Sequence, residues 1–138
     1  MSTILDERFG RDVLLPNDPE DDVRVTPTGD LQTVAGVENV RGALRRRVLT
    51  SPGDLVTRPG YGGGIELELS RLGSPARRSA LANTIRRNLF ADDRVKEIRV
   101  SVSAGSPGAT RTNAATIEIG ATLADNTQDA QTISLVQE

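Results

Sequence analysis

Three groups of residues in this 138-residue chain have types and spacings that could do chemistry. The first is Pro59-Gly60-Tyr61-Gly62-Gly63-Gly64, a glycine-dense loop of the kind that can cradle a phosphate. Ile65-Glu66 follows it, where a phosphate loop needs Lys and Ser/Thr, and no long strand with a parallel crossover frames it as a dinucleotide fingerprint would. Its glycines suit a sharp backbone turn between Tyr61 and the helix that follows. The second group is the carboxylates. Glu66 and Glu68 are two residues apart, so they point to different helix faces and cannot flank one glycosidic bond. Asp92-Asp93 lies in a loop with no aromatic sugar platform nearby in sequence, and a hydrolase would need a long-range pair such as Asp54 with Glu66. The third is arginine: the run Arg45-Arg46-Arg47, together with Arg77, Arg78, Arg86 and Arg87, could grip phosphates by counterion release.

Composition narrows these options. There is no Cys and no His. Disulfides, thiolate metal sites and Cys catalysis are therefore excluded, and so are Ser-His-Asp triads, His-zinc sites and imidazole acid–base chemistry. Phe9, Tyr61 and Phe90 are the only aromatic residues, too few for a base-stacking platform. The formal charge of −2 hides an uneven distribution. Residues 1–30 carry eight acids and three bases, a local −5, whereas residues 41–99 carry thirteen bases and six acids, a local +7. Of the seventeen basic residues only Lys96 is lysine, and arginine's planar fork suits protein interfaces. With a net acidic chain and no recognition-helix or finger pattern, nucleic acid is not the expected partner. No apolar run is long enough to span a membrane, and Asp6, Glu7 and Arg8 leave no apolar secretion core at the N-terminus. The expectation is a cytosolic, soluble domain that binds rather than catalyses, without cofactor, metal or small-molecule ligand.

The elements that position these residues follow from periodicity. Residues 1–22 are acidic, carry Pro16 and Pro19 and show no sustained period, so they are expected to form an extended arm, with 23–138 as a single domain. Val23-Arg24-Val25 and Leu31 to Val34 flank Thr26-Pro27-Thr28-Gly29-Asp30, which predicts a hairpin turning near Gly29-Asp30. Val37, Val40, Leu44 and Val48 mark one face of a helix from about Gly36 to Leu49. Pro52 and Gly53 end it, and Leu55-Val56-Thr57-Arg58 is expected to be a short extended piece. A short helix with Ile65, Leu69 and Leu72 on one side comes next. Ser74-Pro75 then starts a third helix, with Leu81, Ile85 and Leu89 on its inner face, that ends near Phe90-Ala91. From Ile98 onward the period becomes two: Ile98, Val100 and Val102, then Ala115, Ile117, Ile119, Ala121 and Leu123, then Ile133 and Leu135. The linkers 104–113 and 124–128 have hairpin-loop composition. The predicted fold class is α+β: an N-terminal β-hairpin, three helices, then a C-terminal three-stranded antiparallel meander in a two-layer sandwich.

Within this frame, residues 29–62 resemble a known family. The matching residues are Gly29-Asp30-Leu31, then Val34-Ala35-Gly36-Val37-Glu38-Asn39-Val40, then Leu44 and Arg47-Val48-Leu49-Thr50-Ser51-Pro52-Gly53-Asp54, and finally Pro59-Gly60-Tyr61-Gly62. In order and spacing they are similar to the baseplate wedge proteins of contractile phage tails (the GPW, gene-25-type family), which includes sheath initiators of type VI secretion and related injection particles. Asp54 stands where the family often has Glu, and Asp92-Asp93-Arg94 stands where it has Glu-Pro-Arg. The resemblance implies a structural, non-enzymatic baseplate subunit. Such a subunit joins the wedge to the first sheath ring and initiates sheath assembly by strand addition. Its partners would be the wedge core proteins, the tail sheath protein, and hub or inner-tube proteins. It would be found in the bacterial cytoplasm during assembly and then in the baseplate of the particle. The protein-binding residues it implies are Glu38, Asn39, Gly53, Asp54, Pro59, Tyr61, Gly62, Asp92 and Arg94. The outer strand of the meander, or the hairpin 23–34, is the candidate edge. The alternatives are a lysozyme-like peptidoglycan hydrolase of the tail and a type VI secretion baseplate subunit.

Overall fold

The computed structural model describes residues 8–16, 20–69, 72–104 and 114–136, so most of the linker 104–113 and residues 1–7 and 17–19 of the expected arm lie outside the described residues. The chain divides into two compact units, Met1–Ala43 and Leu44–Glu138. One helix, α1 (Val37–Leu49), runs through the division. Its apolar face supplies Val40 to the first unit and Leu44 and Val48 to the second, all fully buried.

In the first unit, β1 (Arg11–Val13) pairs antiparallel with β2 (Thr33–Ala35). The hairpin expected over 23–34 is present only as a single bridge between Val25 and Leu31, closed by the turn at 26–30. Residues 33–35 find their partner in 11–13, inside the segment that composition assigned to an arm. The physical reason is length. A strand of three residues carries too few alternations to register as a period, so its pairing is invisible in sequence. The unit closes around Phe9, whose side chain is buried and whose carbonyl accepts a hydrogen bond from Asn39 Nδ2 at 3.0 Å.

The second unit is the α+β layer structure. After α1 comes one helical turn, α2 (Ile65–Glu68), and then α3 (Pro75–Phe90). Among the described residues the expected three helices appear as two full helices and one turn. Gly64 at φ 69° begins the turn, which runs over Ile65–Glu68 with Leu69 still at helical φ and ψ. Ser74 occupies the N-cap position of α3 as expected, but its side chain caps nothing; Pro75 supplies the helix start by its fixed φ. Leu55–Arg58 is not extended. It is a turn closed by Arg58 N donating to Leu55 O at 3.0 Å.

The meander is β3 (Val95–Ala104), β4 (Ala114–Leu123) and β5 (Gln128–Val136), in the order β3-β4-β5. Both pairings are antiparallel, with Val100 opposite Ile119 and Ile117 opposite Ile133. Ile98, Ile117, Ile119, Leu123 and Ile133 form the inner face, and α3 lays Leu81, Ile85 and Leu89 into the same core. The opposite face carries Arg99, Ser101, Glu118 and Thr132. This alternation is what holds the register, since a slip by one residue would turn the isoleucines to water.

Truncating the centre of this core, Ile117→Ala, is expected to lower unfolding stability by about 2–5 kcal/mol in a denaturant titration. The exposed Thr132→Ala on the neighbouring strand should stay within about 0.5 kcal/mol of the unmodified chain.

Candidate functional site

Four of the residues implied by the resemblance meet in the second unit, and two others bring them together. Arg47 lies in the last turn of α1 and projects over the Tyr61 ring, its guanidinium carbon 4.5 Å from the ring centroid. The same guanidinium donates to the backbone carbonyl of Asn88 at 2.7 Å, near the end of α3. Asn88 in turn accepts the Gly62 amide at its side-chain Oδ1, 3.0 Å away. One arginine and one asparagine therefore fasten the end of α1, the glycine loop and the end of α3 to one another. Gly62 is required by position. Its φ is +123°, and a Cβ there would collide with the Thr50 carbonyl. Gly63 N donates to Arg47 O at 2.9 Å and continues the seam.

Beyond α3 the chain turns at Asp92-Asp93-Arg94. Arg94 grips Asp92 with its fork: Nε donates to Oδ1 at 2.9 Å and Nη2 to Oδ2 at 2.6 Å, while the Arg94 amide donates to Oδ1 at 3.0 Å. The Asp92 side chain is 11% exposed and that of Arg94 25%, so the pair is partly withdrawn from water. Burial alone would raise the Asp92 pKa, but hydrogen bonds and charge from Arg94, helped by the positive charge of Arg47, outweigh it and hold the carboxyl below its usual range. Asp92 and Arg94 thus form an internal clamp that shapes the turn into β3. The turn is tied on its other side by Ala124 N donating to Arg94 O at 2.9 Å.

The remaining implied residues do different work. Gly53 (φ +94°), Asp54 and Pro59 belong to the exposed loop 52–60. Gly53 N donates to Pro59 O at 3.0 Å and Asp54 N to Ser51 O at 3.1 Å; Asp54 Oδ2 accepts the Ser51 amide at 3.3 Å. The loop is exposed yet closed upon itself, and it presents Leu55 at 41% and Val56 at 91% exposure. Neither apolar residue carries a sequence signal, because each stands outside any period. Glu38 and Asn39 lie in the first unit, Glu38 exposed and Asn39 buried on the Phe9 carbonyl.

Among the described residues no three His, Cys, Asp or Glu side chains gather to hold a metal ion. A groove of about 340 Å³ beside the loop is lined by Pro52, Gly64, Glu68, Arg77, Leu81 and Thr84, with Glu68 the one carboxylate among the described lining residues. No helix among the described residues is long and apolar enough to cross a membrane.

With this geometry in place, the fold can be compared with known proteins. No family model matches the chain, and no curated protein matches it. Solved structures do. The chain is similar to one in the cryo-EM structure of the anti-feeding prophage baseplate, 6-fold symmetrised, at TM-score 0.62 and 22% identity over 99% of this chain and 92% of that one. It is also similar to a chain of the baseplate complex of the type VI secretion system, at TM-score 0.60 and 17% identity over 74% and 93% of the two chains. A third similar structure, from Geobacter sulfurreducens and described as a tail lysozyme, gives TM-score 0.57 and 22% identity over 73% and 90%. The fold is therefore the one found in contractile-system baseplates, which is the fold that the resemblance of residues 29–62 implies.

Two outcomes follow for the site. Gly62→Ala should lower unfolding stability by about 2 kcal/mol or more, since it adds a backbone collision to a left-handed φ; denaturant unfolding measures it. Asp92 has a depressed pKa in the folded chain, so its contribution is present above the unfolded carboxylate pKa and is lost as pH falls through the folded value. Asp92→Asn should be less stable than the unmodified chain at about pH 7, and the difference should shrink on acidification toward about pH 2.

Proposed function

We propose that this chain is a structural baseplate subunit of a contractile injection particle or phage tail, joining the baseplate wedge to the first sheath ring. The observation that carries the reading is the likeness to the anti-feeding prophage baseplate chain over nearly the whole length of both chains. The motif resemblance of residues 29–62 supports it from sequence.

In this reading the two surfaces have separate tasks. The loop 52–60 faces the wedge. Gly53, Asp54, Pro59, Tyr61 and Gly62 build the loop, and Leu55 and Val56 supply the apolar contact. A loop already fixed by internal hydrogen bonds loses little entropy on docking. Asp92 and Arg94 anchor the wedge contact by fixing the turn next to Arg47, and Glu38 and Asn39 shape the N-terminal side.

Sheath subunits meet the other surface by strand addition to the outer edge of β3. β3 has a bulge between Val95 and Glu97, with Lys96 at it, a device that blunts an edge against casual pairing. From Ile98 to Ala104 the ladder with β4 is regular and the strand is an edge of the sheet. Arg99 does not guard it, because its guanidinium folds back over Gly120 of β4, where the missing Cβ leaves room. An incoming extended segment would pair with this stretch. Assembly would take place in the cytoplasm. Hub or inner-tube proteins would be further neighbours. A hydrolase reading would require two carboxylates flanking one bond, and the groove beside the loop offers Glu68 alone among its described lining residues.

Co-expression of this chain with its cognate wedge and sheath proteins tests the assignment. The unmodified chain should enter the wedge and seed sheath rings visible by electron microscopy. Val56→Asp should prevent wedge entry without altering the circular dichroism spectrum. Val102→Pro, which removes an amide on the side of β3 away from β4, should enter the wedge and fail to seed sheath. Sheath rings that form equally well without this chain would refute the assignment.

A further inference from the structure

The first unit carries an exposed apolar pair that the baseplate reading does not use. Val25 and Leu31 face each other across the isolated bridge, 62% and 51% exposed. Thr26 N donates to Asp30 O and Gln32 N to Arg24 O, which makes Val25–Leu31 the non-hydrogen-bonded pair, the kind whose side chains approach most closely. On the other side of the same segment, Leu14 N donates to Gln32 O at 2.8 Å, carrying the β1–β2 pairing one step further, and Leu15 follows it in the chain. Leu15 is 45% exposed. Val25 and Leu31 thus form an exposed apolar pair on one face, because cross-strand partners share a face, and Leu15 lies one residue beyond the Leu14–Gln32 bond. Asp21, Asp22 and Asp30 are exposed close by in sequence, in a stretch whose local charge is −5.

The second unit carries the complementary arrangement. On α3, Asn83, Arg86, Arg87 and Phe90 fall at i, i+3, i+4 and i+7, a single stripe along the helix. Arg86, Arg87 and Phe90 are exposed, Phe90 at 58%, and the stripe lies in the stretch whose local charge is +7. An exposed aromatic one helical turn from two arginines is a composition that interfaces favour. The first surface has exposed Asp21, Asp22 and Asp30 close by in sequence, and the second has exposed Arg86 and Arg87 one turn before Phe90, with Asp93 after it.

We propose that these two surfaces dock on each other between copies of this chain: the exposed Val25–Leu31 pair of one copy receives the Arg86–Arg87–Phe90 stripe of the next. The contact is heterologous, head to tail, so each copy offers one surface and uses the other. It is small, and weak association that responds to concentration and salt is the expected behaviour. Copies held side by side by a larger assembly would engage it at high effective concentration.

Sedimentation velocity of the purified full chain over roughly a hundredfold range of concentration tests this directly. The average mass should rise with concentration and fall back as salt is added. Val25→Asp removes one surface and Phe90→Ser with Arg86→Glu removes the other. All three positions are exposed, so both variants should keep the unmodified melting curve and each alone should sediment as a monomer. Mixed in equal amounts, the two variants retain one intact surface each and should form a dimer and nothing larger. A chain that stays monomeric throughout, a variant that associates like the unmodified chain, or a mixture that remains monomeric would each overturn the proposal. A Val25–Leu31 pair that becomes protected from hydrogen exchange only when another baseplate component is added, and never by a second copy, would belong to that component and overturn the proposal equally.

Discussion

Arg47 reaches Tyr61 with the face of its guanidinium and the Asn88 carbonyl with one edge, and its charge helps keep Asp92 ionised. These groups lie on four segments of chain, separated by up to forty-five positions from Arg47 to Asp92. An arginine can do this where a lysine could not, because its plane stacks while its edge donates. Asn88 completes the joint by accepting the Gly62 amide, so the loop, both helix ends and the turn into the sheet have one common fixture. The placement of β3 relative to the loop depends on it.

This arrangement changes what the motif residues are for. Tyr61 and Gly62 face inward, toward Arg47, Asn88 and the Thr50 carbonyl. Asp92 and Arg94 are engaged with each other. They set the position of neighbours that carry no motif at all, Leu55 and Val56 at the loop tip and the regular part of β3 from Ile98 onward. In the baseplate reading, contact residues can vary with the partner while the residues that aim them stay fixed in chemistry. At position 92, where the resembled family has Glu, Asp makes a clamp in which Arg94 takes both carboxylate oxygens and the Arg94 amide adds a third bond.

The sequence was legible where long elements repeat a period. α1 and α3 follow from spacings of three and four, and the meander from strict alternation between Ile98 and Leu135. The α+β class rests on those signals alone. Short elements were not legible. Three-residue strands at 11–13 and 33–35 pair across a long intervening segment, and nothing local marks that choice. The second helix is described only as the turn Ile65–Glu68, because a spacing of Ile65, Leu69 and Leu72 marks a helical face without fixing how long the helix is. Arg47 was hidden in a run of three arginines, where only the fold distinguishes the one that turns inward, and Asn88 sits among polar positions of α3 with no sequence mark. The residues that assemble the site were therefore less visible than the residues they assemble.

If the baseplate reading is right, the outer edge of β3 is completed by another polypeptide, and hydrogen exchange on this strand is the most direct measurement of it. Amides of residues 98–104 that face away from β4 should exchange quickly in the isolated chain and become strongly protected when the cognate sheath protein is bound. Those of β4, already paired on both sides, should change little. A stable complex with sheath in which residues 98–104 exchange as fast as before would show that the sheath binds elsewhere, and would contradict the account.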